Sequence, residues 1–268
     1  MTDSLPTIAI IGAGSMGGAI LSGLRRHDAD VRITTRSAES AAHTEGAVST
    51  ELDSQANVNA VDGARVVLIG VKPLMVGDVL REIAPALAAD AIVVSLAVGV
   101  TSAAMEAIVP GSVVRSMPNT PSLVGRGVTG ISAGSRATAD DLAIVQAVFE
   151  TVGDVLVVPE AKLDALSTIS GSGPAYVFLL IEELTKTAIE LGFSEQEARV
   201  MVQGTFRGAS ELLAASDLGP AELRTKVTSP KGTTERAIAV LQEADLSALF
   251  SRAAQAALAR AKQLAESA

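Results

Sequence analysis

The first apolar run, Ile8-Ala9-Ile10-Ile11, holds no polar residue; the chain then breaks at Gly12-Ala13-Gly14 and resumes with small and apolar residues at helical spacing. Such a run, bounded by a glycine turn, predicts a strand buried on both faces that feeds a helix. Val31-Arg32-Ile33-Thr34-Thr35 alternates and is β-branched, which predicts a second strand. Residues 66–71 are a third, fully apolar run that stops at Lys72-Pro73. Pro73 suits the first turn of the next helix, where a missing N–H costs nothing. Residues 92–97 and 113–117 give a fourth and a fifth strand, the fifth ending at Pro118-Asn119-Thr120-Pro121. Residues 127–133 and 155–158 each add a strand, with a helix over about 138–151 between them. Strands alternating with helices predict an α/β fold, a doubly wound sheet of Rossmann type.

From about residue 160 the pattern changes and no strand is predicted. Residues 161–192 read as helical around Ser170-Gly171-Ser172-Gly173-Pro174. Ser194 with Glu197 three positions on forms a capping box for a helix running to about 215. Gly219-Pro220 reads as a break, 225–234 as an irregular polar loop, and 233–242 and 246–265 as two further helices. The chain therefore divides into a dinucleotide-binding domain, 1–159, and an all-α domain, 160–268. Helices this rich in Ala and Gly suit burial against a partner subunit.

Composition narrows the function. The 268 residues are 48% hydrophobic but only 2% aromatic, so the core is aliphatic. A net charge of −9 without basic blocks argues against nucleic acid as a partner. With no cysteine there is no disulfide and no thiolate chemistry. Met1 to Thr7 lacks a positive n-region, and no apolar run is long enough to span a bilayer, so the reading is a cytoplasmic protein without a membrane partner. No clustered spacing of metal ligands occurs. His27 and His43, the two histidines, read as solvated, and neither Ser15 nor Ser172 has a nearby His to activate it.

Gly12, Gly14 and Gly17 fit G-x-G-x-x-G between strand and helix. Gly12 permits the tight turn, Gly14 the approach of a pyrophosphate, and Gly17 close packing of helix on strand. The helix N–H groups and dipole then favour a phosphate. The alternative is a glycine turn that only packs a helix. An NAD site usually carries Asp or Glu about 20 residues beyond the glycines. Here the second strand ends in Thr35-Arg36-Ser37, and Arg36 suits the 2′-phosphate of NADPH. Glu39, a few positions late, is the competing acid, and Arg36 is then a surface residue.

Two polar stretches interrupt the helical half: SGSGPAYVF from Ser170 and VTSPKGTTERAI from Val227. With GAGSMG, VKP, MPNTP and the L-x-E-A-D-L that follows, in this order and over the whole length, they resemble the pyrroline-5-carboxylate reductase family. The resemblance implies reduction of the cyclic imine 1-pyrroline-5-carboxylate to L-proline by NADPH, with NADH also accepted. It implies a helical dimerisation domain and a homodimer, with a larger ring such as a decamer left open. It assigns Ile11, Gly12, Ala13, Gly14, Ser15 and Met16 to the pyrophosphate. Arg36 and Ser37 fall at the 2′-phosphate and Asn57 near the nucleotide. Gly70, Val71, Lys72 and Pro73, with Leu96, Ala97 and Val98, fall on the nicotinamide side. Glu160, Lys226, Gly232, Thr233 and Thr234 fall at the substrate. One departure stands out: Lys231 occupies the first of two positions usually glycine in the family. If that position needs positive φ, Lys231 costs about a kcal/mol there.

Imine reduction needs hydride delivered to carbon and a proton or hydrogen bond at nitrogen. A hydroxyl suits the second task, and Thr234, supported by Ser229, is the candidate. The N–H groups of residues 232–234, at a helix start, suit the substrate carboxylate. Thr233 and Thr234 can alternatively serve as N-caps. A β-hydroxyacid dehydrogenase would need a lysine in the glycine-rich kink of the second domain. Lys162 and Lys186 are the lysines nearby, and neither sits there. A sensor that binds NADPH without turnover would not need the second polar site.

Overall fold

The computed structural model describes residues 5–266, so most of the N-terminal stretch read for a signal sequence lies outside the described residues. The chain divides into two compact units. One runs to Ser172 and takes in the end of the last helix from Ala256; the other is Gly173–Gln255.

The first unit is built on one eight-stranded sheet, ordered β3-β2-β1-β4-β5-β6-β7-β8. Its strands are β1 (Ile8–Ile11), β2 (Val31–Thr35), β3 (Ala47–Ser49), β4 (Val66–Ile69), β5 (Ile92–Ser95), β6 (Ser112–Met117), β7 (Gly127–Ala133) and β8 (Gly153–Val157). The helices are α1 (Ser15–Arg25), α2 (Ala38–Ala42), α3 (Ala56–Val61), α4 (Val76–Ile83), α5 (Ser102–Glu106), α6 (Ala139–Glu150) and α7 (Leu163–Leu166). Strand side chains alternate, and β1 feeds both faces of the sheet. Ile8 and Ile10 pack with Ile20 and Leu24 of α1 and Phe149 of α6. Ala9 and Ile11 pack with Val76, Leu80 and Ile83 of α4 and Met105 of α5. All these residues are fully buried, as a sheet covered on both sides requires.

Several details depart from the pattern-based reading. Strand β3, three residues long, and α3 fall in a polar stretch with no periodic signal. Strand β4 ends at Ile69, and Gly70 and Val71 leave the ladder to wall a groove. Strand β5 ends at Ser95, whose Oγ accepts from the Ala97 N–H and closes a local turn. Strand β7 is antiparallel to β6 while every other pair is parallel. The link from Met117 to Gly127 is one short 3₁₀ turn, Thr120–Val124. A parallel crossover needs about a dozen residues, so this connection can only reverse.

After α7 comes a π-helical turn, Ser167–Gly171. The second unit holds α8 (Gly173–Glu190), α9 (Glu195–Ala214), α10 (Pro220–Lys226), α11 (Thr233–Glu243) and the start of α12 (Leu246–Glu266). Ser194 and Glu197 make the predicted capping box. Gly219-Pro220 opens a helix instead of breaking the chain. Pro220 stands at N1, and the Glu222 carboxylate accepts from the Gly219 N–H at 3.0 Å. The polar loop therefore shrinks to residues 227–232. The unit's own core is small: Ala188, Ala198 and Val202, flanked by Ile181 and Phe206. Among the described residues no helix is long and apolar enough to cross a membrane.

Candidate active site

Strand β1 delivers Gly12 at φ +87°. The N–H groups of Gly12 and Ala13 both donate to the Thr34 carbonyl, at 3.1 and 3.0 Å, tying the turn to the end of β2. A Cβ on Gly70 would stand 2.4 Å from the Gly12 oxygen, and one on Gly12 2.8 Å from Val71 Cγ1. The turn and the β4 end therefore interlock only as glycines. Gly14 is the N-cap of α1 and supplies no side chain to the first-turn N–H groups. A Cβ there would meet nothing within 4 Å. An uncapped helix start beneath open space is what a pyrophosphate needs. A groove runs over it. Its walls are Gly12, Ala13 and Gly14 from the turn, Gly70, Val71, Lys72 and Met75 after β4, and Thr35, Arg36, Ser37 and Ser40 after β2.

The structure thus brings eight of the predicted cofactor residues into one groove: Gly12, Ala13, Gly14, Arg36, Ser37, Gly70, Val71 and Lys72. Ser15 and Met16 open α1 beside it, and Ile11 is buried in β1 beneath it. Leu96, Ala97 and Val98 follow β5, and Pro73 lies on a separate groove against α4 and α5. Asn57 is not in the lining. It is buried, its Oδ1 accepting from Thr34 Oγ1 at 2.7 Å and its Nδ2 donating to Glu82 at 3.1 Å. It braces the same strand end that holds the glycine turn. Ser40 and Met75 carried no signal in the sequence, since only folding brings them to the groove.

The exposed Arg36 guanidinium has no partner among the described residues. Ser37 caps α2, accepting from the Ser40 N–H at 3.1 Å, and its hydroxyl donates to Ser40 Oγ at 2.9 Å. Glu39, the competing acid, is exposed on α2 and absent from the lining. These residues fit the adenosine end of a phosphorylated dinucleotide.

Glu160 precedes α7, and its Oε1 accepts from the Ser102 N–H at 2.8 Å and from Arg115 Nη1 at 3.0 Å. Arg115, 5% exposed, also reaches Asp164 at 3.3 Å. Burial pushes the Glu160 carboxyl up, but these hydrogen bonds outweigh it and hold the group below its ordinary value. The carboxylate that sequence assigns to substrate is thus already engaged in tying α5, β6 and α7 together. Asn119 does similar work. Its Oδ1 accepts from Val128 N at 2.8 Å, and its Nδ2 donates to the Ser170 carbonyl at 2.9 Å, within the π turn. Such turns recur at functional sites.

In the second unit Lys226 ends α10, and Ser229 accepts at its carbonyl from the Gly232 N–H at 3.0 Å. Lys231 has φ +63°, the conformation for which glycine is favoured. Its N–H donates to the Glu235 carboxylate at 2.9 Å. Gly232 is the N-cap of α11, with no side-chain cap. Thr233 and Thr234 therefore sit inside the first turn rather than capping it, and the Thr234 hydroxyl has no partner among the described residues. Lys186 is paired with Glu182 and Glu183 on its own helix. Among the described residues no group of His, Cys, Asp and Glu is placed to hold a metal ion.

Residues 160–264 match the family described as pyrroline-5-carboxylate reductase dimerisation, and residues 7–99 match that described as NADP oxidoreductase, coenzyme F420-dependent. A pyrroline-5-carboxylate reductase of Corynebacterium melassecola is 39% identical, over 97% of this chain and 99% of its own. The structure of one from Coxiella burnetii superposes with a TM-score of 0.90 at 35% identity, covering 98% of this chain and 99% of that one. A Plasmodium falciparum pyrroline carboxylate reductase, solved with NADP bound, gives 0.82 at 25% identity, covering 98% and 99%.

Proposed function

The chain belongs to the pyrroline-5-carboxylate reductase family, and on that premise we propose that it reduces the imine carbon of 1-pyrroline-5-carboxylate with hydride from NADPH, or less readily NADH, giving L-proline. The observation that carries this reading is the interlocked glycine cradle at an uncapped helix start, with Arg36, unpartnered among the described residues, in the same groove.

The chain's own residues divide the work. Ser15 and Met16 hold the pyrophosphate through the first-turn N–H groups of α1, and Ile11 to Gly14 form the turn that leaves room for it. Arg36 and Ser37 read the 2′-phosphate. Asn57 acts on the nucleotide indirectly, by holding Thr34 and through it the glycine turn. Gly70, Val71 and Lys72, with Leu96, Ala97 and Val98, form the nicotinamide side, and Pro73 contributes by opening the turn that follows Lys72. In the helical domain, the first-turn N–H groups after Gly232 take the substrate carboxylate, aided by Lys226 and Thr233. Thr234, with Ser229 in support, hydrogen-bonds the imine nitrogen as it accepts the electron pair. Glu160 sets the start of the helical region through Arg115 and Ser102. Most of the acceleration comes from holding donor and acceptor face to face.

We place the domain boundary at 159/160, supported by the loss of strands after β8 and the start of the dimerisation match. We place the enzyme in the cytoplasm as a homodimer; a larger ring such as a decamer would be built from that dimer. The direct test mixes purified protein with 1-pyrroline-5-carboxylate and NADPH and follows nucleotide absorbance with proline. Proline should form in step with nucleotide loss. A folded protein that forms none overturns the reading.

A further inference from the structure

Resting on the dinucleotide reading above, we propose that Glu51 tunes the cofactor preference: its carboxylate opposes the 2′-phosphate and keeps NADH competitive in a site where Arg36 alone would favour NADPH strongly.

Glu51 follows β3, far from the position where sequence seeks an acid. The fold brings it there through backbone pairing. Thr50 N–H donates to the Thr35 carbonyl at 2.9 Å and Glu51 N–H to the Arg36 carbonyl at 3.2 Å. Ser49 Oγ and Thr50 Oγ1 donate to the same Arg36 carbonyl, at 3.0 and 3.3 Å. The side chain is fixed as well, since Glu51 Oε2 accepts from the Ala38 N–H at 3.1 Å. The carboxylate is thus bonded to the stretch Arg36-Ser37-Ala38, whose first two residues wall the groove.

NADPH and NADH differ only in the 2′-phosphate, which carries close to two negative charges at neutral pH. One exposed guanidinium attracts it; a carboxylate held on the Ala38 N–H, behind the wall that Arg36 and Ser37 form, repels it. For a separation of roughly 5–8 Å in water-like dielectric, one such charge is worth about three- to tenfold in affinity for a dianion. NADH has no charge at that position and is indifferent to it.

The test is nucleotide binding without substrate, read by NADPH and NADH fluorescence, for the wild type and Glu51→Gln. Gln keeps an acceptor for the Ala38 N–H and removes the charge. NADPH Kd should fall about three- to tenfold while NADH Kd moves less than twofold, and Glu51→Ala should follow in the same direction. Equal shifts for both nucleotides, no shift in either, or weaker NADPH binding in both variants overturns the inference while the dinucleotide site stands. A wild type that binds neither nucleotide removes the dinucleotide reading itself, and this inference with it.

Discussion

Thr234 stands two residues past the N-cap, the position where a hydroxyl helps a helix begin. Gly232 already serves as the N-cap, so the Thr234 hydroxyl, without a partner among the described residues, is not explained by capping. Thr234→Ala should lower kcat about 10- to 1000-fold with little change in melting temperature, and Thr234→Ser should restore most of it. Equal loss in both variants would refute a hydrogen-bonding role. At the other reactant, Arg36→Ala should raise the KM for NADPH about tenfold and leave that for NADH nearly unchanged; parallel changes would refute a 2′-phosphate role. Single residues were legible where backbone demands were sharp. Gly12 and Gly14 announced their turn, and Lys231 stood out because the family usually carries glycine at that position; its φ of +63° is one that glycine favours. Asn57 and Glu160 were legible as polar positions but not as braces, because their partners Thr34, Glu82, Arg115 and Ser102 come from other elements. Glu51 was invisible for the same reason.

At the scale of elements, Asp141 joins the start of α6 to the sheet. It completes the capping box with Thr138, accepts from Ser112 Oγ at 2.6 Å and pairs with Arg65 at 2.7 Å. Burial alone would raise its carboxyl, but these partners outweigh that and hold it well below the usual carboxylate range. A depressed folded-state pKa stabilises above the ordinary value near 3.8 and loses that contribution as pH falls below it. Asp141→Asn should therefore cost about 2–3 kcal/mol in urea unfolding at pH 7. The difference from wild type should shrink by pH 3; a deficit constant with pH would refute the charge-based account. The main strands were legible because a doubly covered sheet demands unbroken apolar runs. Strand β3, α3 and α10 were not, being short and held by tertiary pairing or a backbone cap. The β6–β7 reversal was implicit in the short link, which no hydrophobic pattern encodes.

For the molecule as a whole, the second unit buries very little of its own apolar surface. Phe178 is 65% exposed, Leu191 74% and Val200 69%, with Leu212, Val240 and Leu241 also open. A soluble monomer rarely carries so many, and the dimerisation match covers this region. Light scattering at micromolar concentration should give a dimer mass or a multiple of it; a monomer would refute the assembly. The glycine turn and the polar stretch ending at Thr234 each stood out in the sequence, yet the roles expected of them came from family likeness, because charge and periodicity alone do not specify an imine. The most direct measurement of the central claim is isotopic. NADPH carrying deuterium at both C4 positions is incubated with 1-pyrroline-5-carboxylate and the protein. The account predicts proline with a single deuteron on the δ-carbon, the former imine carbon. Unlabelled proline, or none, would contradict it.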